Sequence, residues 1–479
     1  MAGSSSAASK FTVRRRQAVL VAPAAPTPRE LKRLSDIDDS DTLRLQIRTI
    51  YFYRRNEAMA AGKDPVRVIK DAVARALVPY YPFAGRLREH DGGKLAVDCT
   101  AEGVLFVEAD ADVGLEHFGD ALLPPFPCLE ELVFDVPGSS AILNTPLLLF
   151  QVTRLACGGF ILAVRLNHTM ADAQGLTQFL GAVAELTRGA QTPTLPPVWE
   201  RELLVARNNP PQPPAALVVP GNLDTNNKKG SSSIVMLPPD DMALRSFFFG
   251  PREVAAIRAQ LPPCLQERAT RFDSVAGWLW KSRTAALAPD PDEMMLLLIV
   301  VNARGRCRSS SSSKTTTIGG IPAGYYGNAF KIPTAVSTAG ELCANPVSYA
   351  VELVRKAKDE VDMEYMRSSA DLIALRRGQQ DPRVTARTYT LTDVTRARFD
   401  DLDFGWGKPV YGGPAEAVGS PSLPWIASFL LPFKNANGED GLVVPVCLPG
   451  PAMDRLVEEM AKLMLRSPTD DVITTFAAA

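Results

Sequence analysis

The feature that most constrains the fold is a break in the pattern of the chain between residues 193 and 240. Segments with strand and helix patterns precede and follow this stretch, which is itself rich in proline, asparagine and serine. A structureless segment of this length is unusual inside a domain, and 479 residues are too many for one ordinary core. We therefore predict an N-terminal domain over residues 1–205 and a C-terminal domain over residues 241–479, joined by a crossover linker at 206–240.

Within both halves the residue patterns alternate between strands and helices, which predicts an α/β fold. Asp64 followed by proline is a helix start, and apolar residues then recur at helical spacing. The patterns predict strands at residues 43–53 and a hairpin over residues 147–167. They also predict one long helix over residues 347–366 and a last helix over residues 452–465.

Composition and charge favour work on small molecules. The chain is 46% hydrophobic and 22% charged, which is typical of globular proteins. Its formal net charge of −1 does not match a nucleic-acid backbone, so no nucleic acid is expected as a partner. No apolar run reaches the roughly 20 residues that a membrane span requires, so no membrane partner is expected either.

The cysteines and the N-terminus bear on the compartment. Seven cysteines are scattered without a C-x-x-C pair, which indicates neither a zinc site nor a disulfide framework. Reduced thiols in a cytoplasmic protein are the simplest interpretation. The apolar piece at residues 18–22 is short and meets Pro23, so we expect a first strand rather than a targeting peptide.

One histidine stands at a position suited to catalysis. The string H-T-M-A-D runs from His168 to Asp172, directly after the apolar run 160–167 and before a helical pattern that opens at Gly175. Irregular backbone between two rigid elements is where catalytic side chains are usually presented. With an ordinary pKa of about 6.5, imidazole can accept a proton near neutral pH. The alternative is a histidine that only satisfies the backbone of the loop.

Asp172 has two possible roles. It either orients His168 as a dyad, or it forms a structural ion pair, because a buried carboxylate needs a cation nearby. Arg304 and Arg306 follow a buried strand and are candidate partners, and we hypothesise the pair Asp172–Arg304. A covalent route is not indicated, because the chain has no G-x-S-x-G elbow and no cysteine in a nucleophile context. No metal site is expected, because His90 and His117 occur without ligand spacing.

A second and rarer string, D-F-G-W-G, runs from Asp403 to Gly407. With both strings in this order, the chain resembles the plant BAHD acyl-CoA-dependent acyltransferases over nearly its whole length. Segments 80–87, 301–306 and 324–328 resemble the family as well. Segments 31–39 and 410–414 resemble its benzyl alcohol O-benzoyltransferase subgroup.

The resemblance implies two chloramphenicol-acetyltransferase-like α/β domains, with mixed sheets flanked by helices and a channel between the domains. It implies that acyl-CoA is a co-substrate, that no cofactor is bound permanently and that His168 deprotonates the acceptor. It makes Asp403, Gly405 and Gly407 architectural. Trp406 is a possible oxyanion donor, because its indole N–H is in the same loop.

The same resemblance limits the substrates. It implies an aromatic acyl group such as benzoyl and a small neutral alcohol such as benzyl alcohol, handled by a monomer. Family members that use acidic acceptors place an arginine before D-F-G-W-G, whereas Thr395 stands there with Arg396 adjacent, so a carboxylate acceptor is not expected.

Three questions stay open at the level of sequence. The acceptor is an alcohol or, alternatively, an amine, because the same base serves both nucleophiles. A relative without activity that binds acyl-CoA or a partner protein is a further alternative. Residues that bind CoA are unknown: Lys281, Arg283 and the pair Lys228–Lys229 are candidates for its phosphates, although such residues are more often solvated surface charges.

Overall fold

We obtained a computed structural model of the chain, which describes residues 11–57, 63–119, 122–135, 141–211, 241–304, 320–359, 362–379, 387–416, 418–420, 423–435 and 437–465. The strands are β1 (Val13–Arg15), β2 (Val19–Val21), β3 (Leu31–Arg33), β4 (Gln46–Tyr53), β5 (Arg86–His90), β6 (Lys94–Asp98), β7 (Val104–Ala111), β8 (Leu148–Arg154), β9 (Phe160–Asn167), β10 (Met242–Phe249), β11 (Met294–Asn302), β12 (Phe330–Lys331), β13 (Thr334–Thr338), β14 (Thr388–Asp393), β15 (Tyr411–Pro414), β16 (Val418–Ser420), β17 (Leu423–Lys434) and β18 (Asp440–Pro449). The helices are α1 (Pro65–Ala76), α2 (Leu129–Leu132), α3 (Ala173–Thr187), α4 (Pro251–Arg258), α5 (Pro263–Arg268), α6 (Arg271–Leu287), α7 (Ala339–Ala344), α8 (Val347–Asp359), α9 (Met363–Leu375) and α10 (Gly450–Leu465). Most of the predicted linker and the pair Lys228–Lys229 lie outside the described residues, as does Arg306.

The first sheet contains the strand that leads to His168. Its order is β1-β7-β8-β9-β4-β15, with β2 also on β7, and only β7 and β8 run parallel within it. Strand β9 lies between β8 and β4 and is buried at all of its positions. Continuous burial on both faces explains why its sequence is mostly apolar, with only Arg165 and Asn167 polar. Helices α1 and α3 pack on one face, where their apolar stripes form the first core.

The second sheet has the order β10-β18-β17-β14-β11-β12, with β13 on β11 and β16 on β17. Strands β11, β14 and β17 run parallel, and the remaining pairs are antiparallel. Helices α4, α6, α8 and α10 contribute their buried faces to the core on this sheet. Mixed sheets flanked by helices confirm the predicted α/β class.

The C-terminal half of the chain contributes a strand and core residues to the first sheet. Strand β15, from the C-terminal half, pairs with β4 in the first sheet, with Tyr411 opposite Phe52 and Pro414 opposite Thr49. Tyr326, Phe404 and Trp406 also lie in the core of the first sheet. Strand β15 follows the D-F-G-W-G loop and therefore places this loop against the N-terminal half.

The long helix predicted over residues 347–366 is wrong. Helix α8 ends at Asp359 and α9 begins at Met363. Asp362 caps α9, since its side chain accepts a hydrogen bond of 2.8 Å from the Tyr365 N–H. Helical spacing continues across the junction, so the apolar pattern alone does not reveal the cap. None of the described helices is long and apolar enough to cross a membrane.

Candidate active site

His168 is the first residue after β9, in the loop that leads to α3. Its backbone N–H donates to the carbonyl of Leu45, 2.8 Å away, which ties the loop to the segment before β4. Helix α3 begins five residues later because Asp172 is its N-cap, accepting a hydrogen bond of 2.9 Å from Gly175 N–H. A rigid strand on one side and a capped helix on the other fix the backbone at His168.

The environment of the His168 ring favours its neutral form. Burial lowers its pKa from the ordinary value of 6.5, and its own carbonyl, Asp172, Asn328 and Asp38 offset this effect only in part. The side chain is half-buried and keeps some exposure to solvent. A neutral, partly accessible imidazole is suited to take a proton from a bound nucleophile.

Asp172 forms the predicted ion pair with Arg304. Nη1 and Nη2 of Arg304 lie 2.8 Å and 3.1 Å from the two carboxylate oxygens, and Ala329 N–H donates to the same carboxylate at 3.0 Å. Burial opposes ionisation of Asp172, but Arg304 and the two backbone N–H groups outweigh it and hold its pKa below the usual value. Both oxygens are thus engaged by Arg304 and the backbone, and Asp172 acts on His168 through its charge rather than as a dyad partner.

Three residues of the site were not singled out by sequence reasoning: Asp38, Arg201 and Asn328. One oxygen of Asp38 accepts hydrogen bonds from Arg201 Nη1 at 2.7 Å, from Asn328 N–H at 2.8 Å and from Asn328 Nδ2 at 2.9 Å. Arg201 also donates to the carbonyl of Met170 at 2.9 Å. The strings that contain Asp38 and Asn328 supported the family resemblance, but nothing in the sequence indicates that residues so far apart meet.

Aromatic rings enclose the Arg201 guanidinium. Its central carbon lies 4.4 Å from the ring centre of Trp199, 5.1 Å from Tyr326 and 5.3 Å from Tyr325. Such contacts stabilise a buried cation in addition to its ion pair. Together with Asp38, the rings hold Arg201 against the backbone of the loop 168–170.

The D-F-G-W-G loop is built around the Asp403 carboxylate. One of its oxygens accepts hydrogen bonds from Gly405 N–H at 2.7 Å and from Gly407 N–H at 2.9 Å. Both glycines have positive φ, 105° and 89°, a conformation that other residues adopt at a cost. Arg188, directly after α3, donates to the Asp403 carbonyl. These contacts hold Asp403, Gly405 and Gly407 in one hydrogen-bonded loop tied to the end of α3.

The position of Trp406 argues against its suggested role as an oxyanion donor. Its ring packs edge-on against Phe160, with the ring centres 5.3 Å apart. Phe160 is the first residue of β9 and His168 follows the last one, so about 26 Å of strand separates them at roughly 3.3 Å per residue. An oxyanion donor must lie ~3 Å from the oxygen that it stabilises, so Trp406 is too far from His168 for the predicted role of oxyanion donor.

The two described candidates for CoA phosphates have other partners. Lys281 Nζ donates to the carbonyls of Leu342, Cys343 and Asn345 within 2.9 Å and thereby closes the end of α7. Arg283 is buried, its guanidinium carbon lies 4.5 Å from the ring centre of Tyr389, and burial lowers its pKa to about 10. Neither residue is placed as a phosphate ligand, and neither is a solvated surface charge. In the described part of the chain no cluster of three or more His, Cys, Asp or Glu side chains could hold a metal ion.

Comparisons with known proteins agree with this geometry. The model of the Transferase family matches residues 10–463. The chain is 54% identical to a benzyl alcohol O-benzoyltransferase of Petunia hybrida, over 95% of this chain and 94% of the relative. It is 47% identical to alcohol acyl transferase 1 (allele GSd) of Malus domestica, over 97% and 96%. The crystal structure of vinorine synthase shares the fold with a TM-score of 0.68 at 22% identity, covering 94% of this chain and 98% of that one. The chain therefore belongs to the Transferase family, the BAHD acyltransferases that its two motifs resemble.

Proposed function

We propose that this protein transfers an aromatic acyl group, benzoyl in the first instance, from acyl-CoA to a small neutral alcohol such as benzyl alcohol. One observation carries the proposal: the loop between β9 and α3 presents His168 as a half-buried imidazole whose pKa is lowered by burial. The Petunia relative, similar over almost the full length, is named for benzoyl transfer to benzyl alcohol. The Malus relative is named only for alcohols, so the acceptor class is supported more widely than the acyl group.

In the proposed reaction the neutral His168 ring takes the hydroxyl proton as the alcohol oxygen attacks the thioester carbonyl. The C–O bond forms, and the carbonyl becomes a tetrahedral oxyanion. When the oxyanion collapses, the C–S bond breaks and CoA leaves as a thiolate, which receives the proton from the imidazolium. An ester and free CoA result, and no acyl group is attached to the protein. Positioned proton transfer of this kind is typically worth about 10²- to 10⁴-fold in rate.

Asp172 and Arg304 support the reaction indirectly in this proposal. Their ion pair joins the start of α3 to the segment after β11, and the Asp172 charge partly offsets the lowered pKa of His168. A channel between the domains, through which acyl-CoA and the alcohol meet at His168, is part of the proposal, as is a monomeric enzyme. Residues that contact CoA stay unassigned.

A substrate panel tests the proposal. The purified protein would be given benzoyl-CoA, acetyl-CoA or coumaroyl-CoA with benzyl alcohol, hexenol, tyramine or shikimate, while release of the CoA thiol and product mass are measured. We expect benzoyl-CoA with benzyl alcohol to be among the best pairs and His168→Ala to lose activity. Tyramine or shikimate as the best acceptor would contradict the neutral alcohol. Inactivity with every pair would favour a relative that only binds acyl-CoA.

The route without an acyl-enzyme has its own test. Protein incubated with benzoyl-CoA in the absence of acceptor would be examined by intact-mass spectrometry after rapid quenching. We expect the unmodified mass. A benzoyl adduct that disappears when benzyl alcohol is added would show a covalent intermediate instead.

A further inference from the structure

Asn328 joins three parts of the site that are far apart in the sequence. Its backbone N–H and its Nδ2 both donate to one oxygen of Asp38, at 2.8 Å and 2.9 Å. The same Nδ2 donates to the carbonyl of His168 at 2.8 Å. Asn328 itself lies directly before Ala329, whose N–H binds Asp172. The side chain thus bridges the segment before β4, the loop after β9 and the segment before β12.

These contacts fix which way round the amide of Asn328 stands. Both hydrogens of Nδ2 are used by oxygen acceptors, namely the Asp38 carboxylate and the His168 carbonyl. A reversed amide would place its oxygen against both acceptors and lose two hydrogen bonds, at about 1 kcal/mol or more each. The remaining atom of the amide, Oδ1, is therefore free to act as an acceptor. Because Nδ2 of the same amide binds the His168 carbonyl, Oδ1 is held near His168.

Two buried polar atoms at this place have no hydrogen-bond partner among the described residues: Asn328 Oδ1 and His168 Nδ1. Buried polar atoms in folded proteins are nearly always paired, and unpaired ones cost about 1–3 kcal/mol. One is an obligate acceptor, and the other can carry a proton. The two atoms are complementary.

We propose that Asn328 is a positioning residue that holds His168 in the tautomer with the proton on Nδ1, leaving the lone pair of Nε2 as the base. In the proposed arrangement His168 Nδ1–H donates to the Asn328 amide oxygen, and the His168 carbonyl, which accepts from Asn328 Nδ2, is the other oxygen near this nitrogen. The tautomer matters because only a nitrogen without a proton can accept one from the alcohol. This inference rests on the proposed function of His168 as base.

The use of an amide at this position has a chemical consequence. A carboxylate facing Nδ1 stabilises the imidazolium and raises the pKa of a histidine, whereas a neutral amide fixes the tautomer without adding charge. With Asn328, the ring stays neutral while its orientation is set. Asp38 supplies the anchor: its second oxygen accepts from the Ser35 hydroxyl at 2.6 Å, so its carboxylate cannot turn toward the ring without losing these bonds.

The tautomer can be observed directly, because the chain contains only three histidines. Protein labelled with ¹⁵N-histidine would be studied by long-range ¹H–¹⁵N correlation, with His168 assigned from the His168→Ala variant. We expect the Nδ1–H pattern for His168 in the unmodified protein, and a mixed or Nε2–H pattern in Asn328→Ala. Signals of His90 and His117 that stay in place report that the variant is folded. An Nε2–H pattern in the unmodified protein, or no change in folded Asn328→Ala, would overturn the proposal.

Kinetics give a second and separate measurement. In Asn328→Ala we expect kcat to fall by about 10²-fold, because part of the proton-transfer advantage is lost, while KM for acyl-CoA changes little. Asn328→Asp presents a carboxylate oxygen to Nδ1 in place of the amide oxygen and loses the two hydrogen bonds of Nδ2, so in the folded variant the acid limb of kcat/KM should move to higher pH. An acid limb that does not move in Asn328→Asp would contradict the assignment even if Asn328→Ala does not fold. Asn435→Ala, in the turn between β17 and β18, is the matched control and should change neither quantity.

The two proposals fail in different ways. If His168→Ala keeps full activity, the proposed function fails while the spectrum of His168 still reports its tautomer. If His168 is required but its tautomer does not depend on Asn328, only the present inference fails.

Discussion

Arg304 donates two hydrogen bonds to the carboxylate of Asp172, from Nη1 at 2.8 Å and from Nη2 at 3.1 Å. This ion pair connects the start of α3 to the segment after β11. The side chains are only 16% and 9% exposed, so the pair is largely withdrawn from water. In such surroundings, removal of one partner leaves a charge without compensation. The pair is therefore a structural joint of the site.

Breaking this joint should destabilise the protein strongly. We expect Asp172→Asn to lower the free energy of unfolding by about 3–5 kcal/mol, because Arg304 is then left buried without its counter-charge. Arg304→Lys should also destabilise, since lysine cannot form the two-point contact. Urea or guanidinium unfolding followed by fluorescence measures both changes.

The exposed pair Lys434–Asp440 is the matched control. Its side chains are 61% and 82% exposed, so Asp440→Asn should change stability by no more than about 0.5 kcal/mol. If Asp172→Asn unfolds at the same denaturant concentration as Asp440→Asn, the prediction that Asp172 stabilises the fold is wrong.

The pH dependence of the reaction should report the lowered pKa of His168. Burial holds this pKa below 6.5, and the neutral ring is the active form. Because protonation requires a pH below the folded-state value, kcat/KM should stay level through neutral pH and fall only below 6.5. The measurement is a profile of kcat/KM for benzoyl transfer. An acid limb at or above pH 6.5 that is the same in His90→Ala would show that the pKa of His168 is not lowered.

Close backbone approach makes two glycines of the site sensitive to a single methyl group. A Cβ at Gly327 would lie 1.8 Å from Arg201 Nη1, and a Cβ at Gly175 would lie 2.0 Å from the carbonyl oxygen of Tyr326. We expect Gly175→Ala and Gly327→Ala to lower stability by about 1–3 kcal/mol or more, since the surrounding groups must shift. We expect kcat to fall as well, because Gly175 binds Asp172 at the end of the loop that carries His168, and Arg201, beside Gly327, binds Met170 in the same loop.

Gly181 in α3 provides the opposite expectation. Apart from the neighbouring backbone of its own helix, no described atom lies within 4 Å of a Cβ built there, and the backbone is helical. Gly181→Ala should therefore stabilise the protein by about 0.5–1 kcal/mol through its effect on the unfolded chain and on helix propensity. Equal melting temperatures for Gly175→Ala and Gly181→Ala would show that the contact with Tyr326 is not tight.

Local parts of the fold and site could be predicted because they depend on neighbours in the sequence. The apolar run before His168 predicted β9, and the Asp64-Pro65 pair predicted the start of α1. The ion pair Asp172–Arg304 was predicted because a buried carboxylate needs a cation. The break between α8 and α9 was missed because Asp362 interrupts the helix without interrupting its apolar spacing.

Contacts between distant residues were beyond reach of the sequence. Asp38 and Asn328 lie 290 positions apart and meet only when both halves have folded. In the sequence, Asp38 is one of several acids near the start of the chain and looks the same whether its carboxylate is solvated or supports a loop, and only the tertiary arrangement separates these roles. The placement of β15 in the first sheet is a further case, because no local pattern specifies its partner strand.

Trp406 provides the last test, because its two candidate roles differ in what the indole N–H does. In the structure its ring packs on Phe160 in the first core and is only 7% exposed, at the end of β9 away from His168. Trp406→Phe keeps an aromatic ring but removes the N–H, so we expect nearly unchanged kcat and a loss of stability from the smaller ring. Loss of an oxyanion donor would instead lower kcat by about 10²- to 10³-fold. Steady-state kinetics and denaturant unfolding of this one variant, compared with Phe404→Leu in the same loop, separate the alternatives: a fall in kcat without a change in stability would restore the catalytic role.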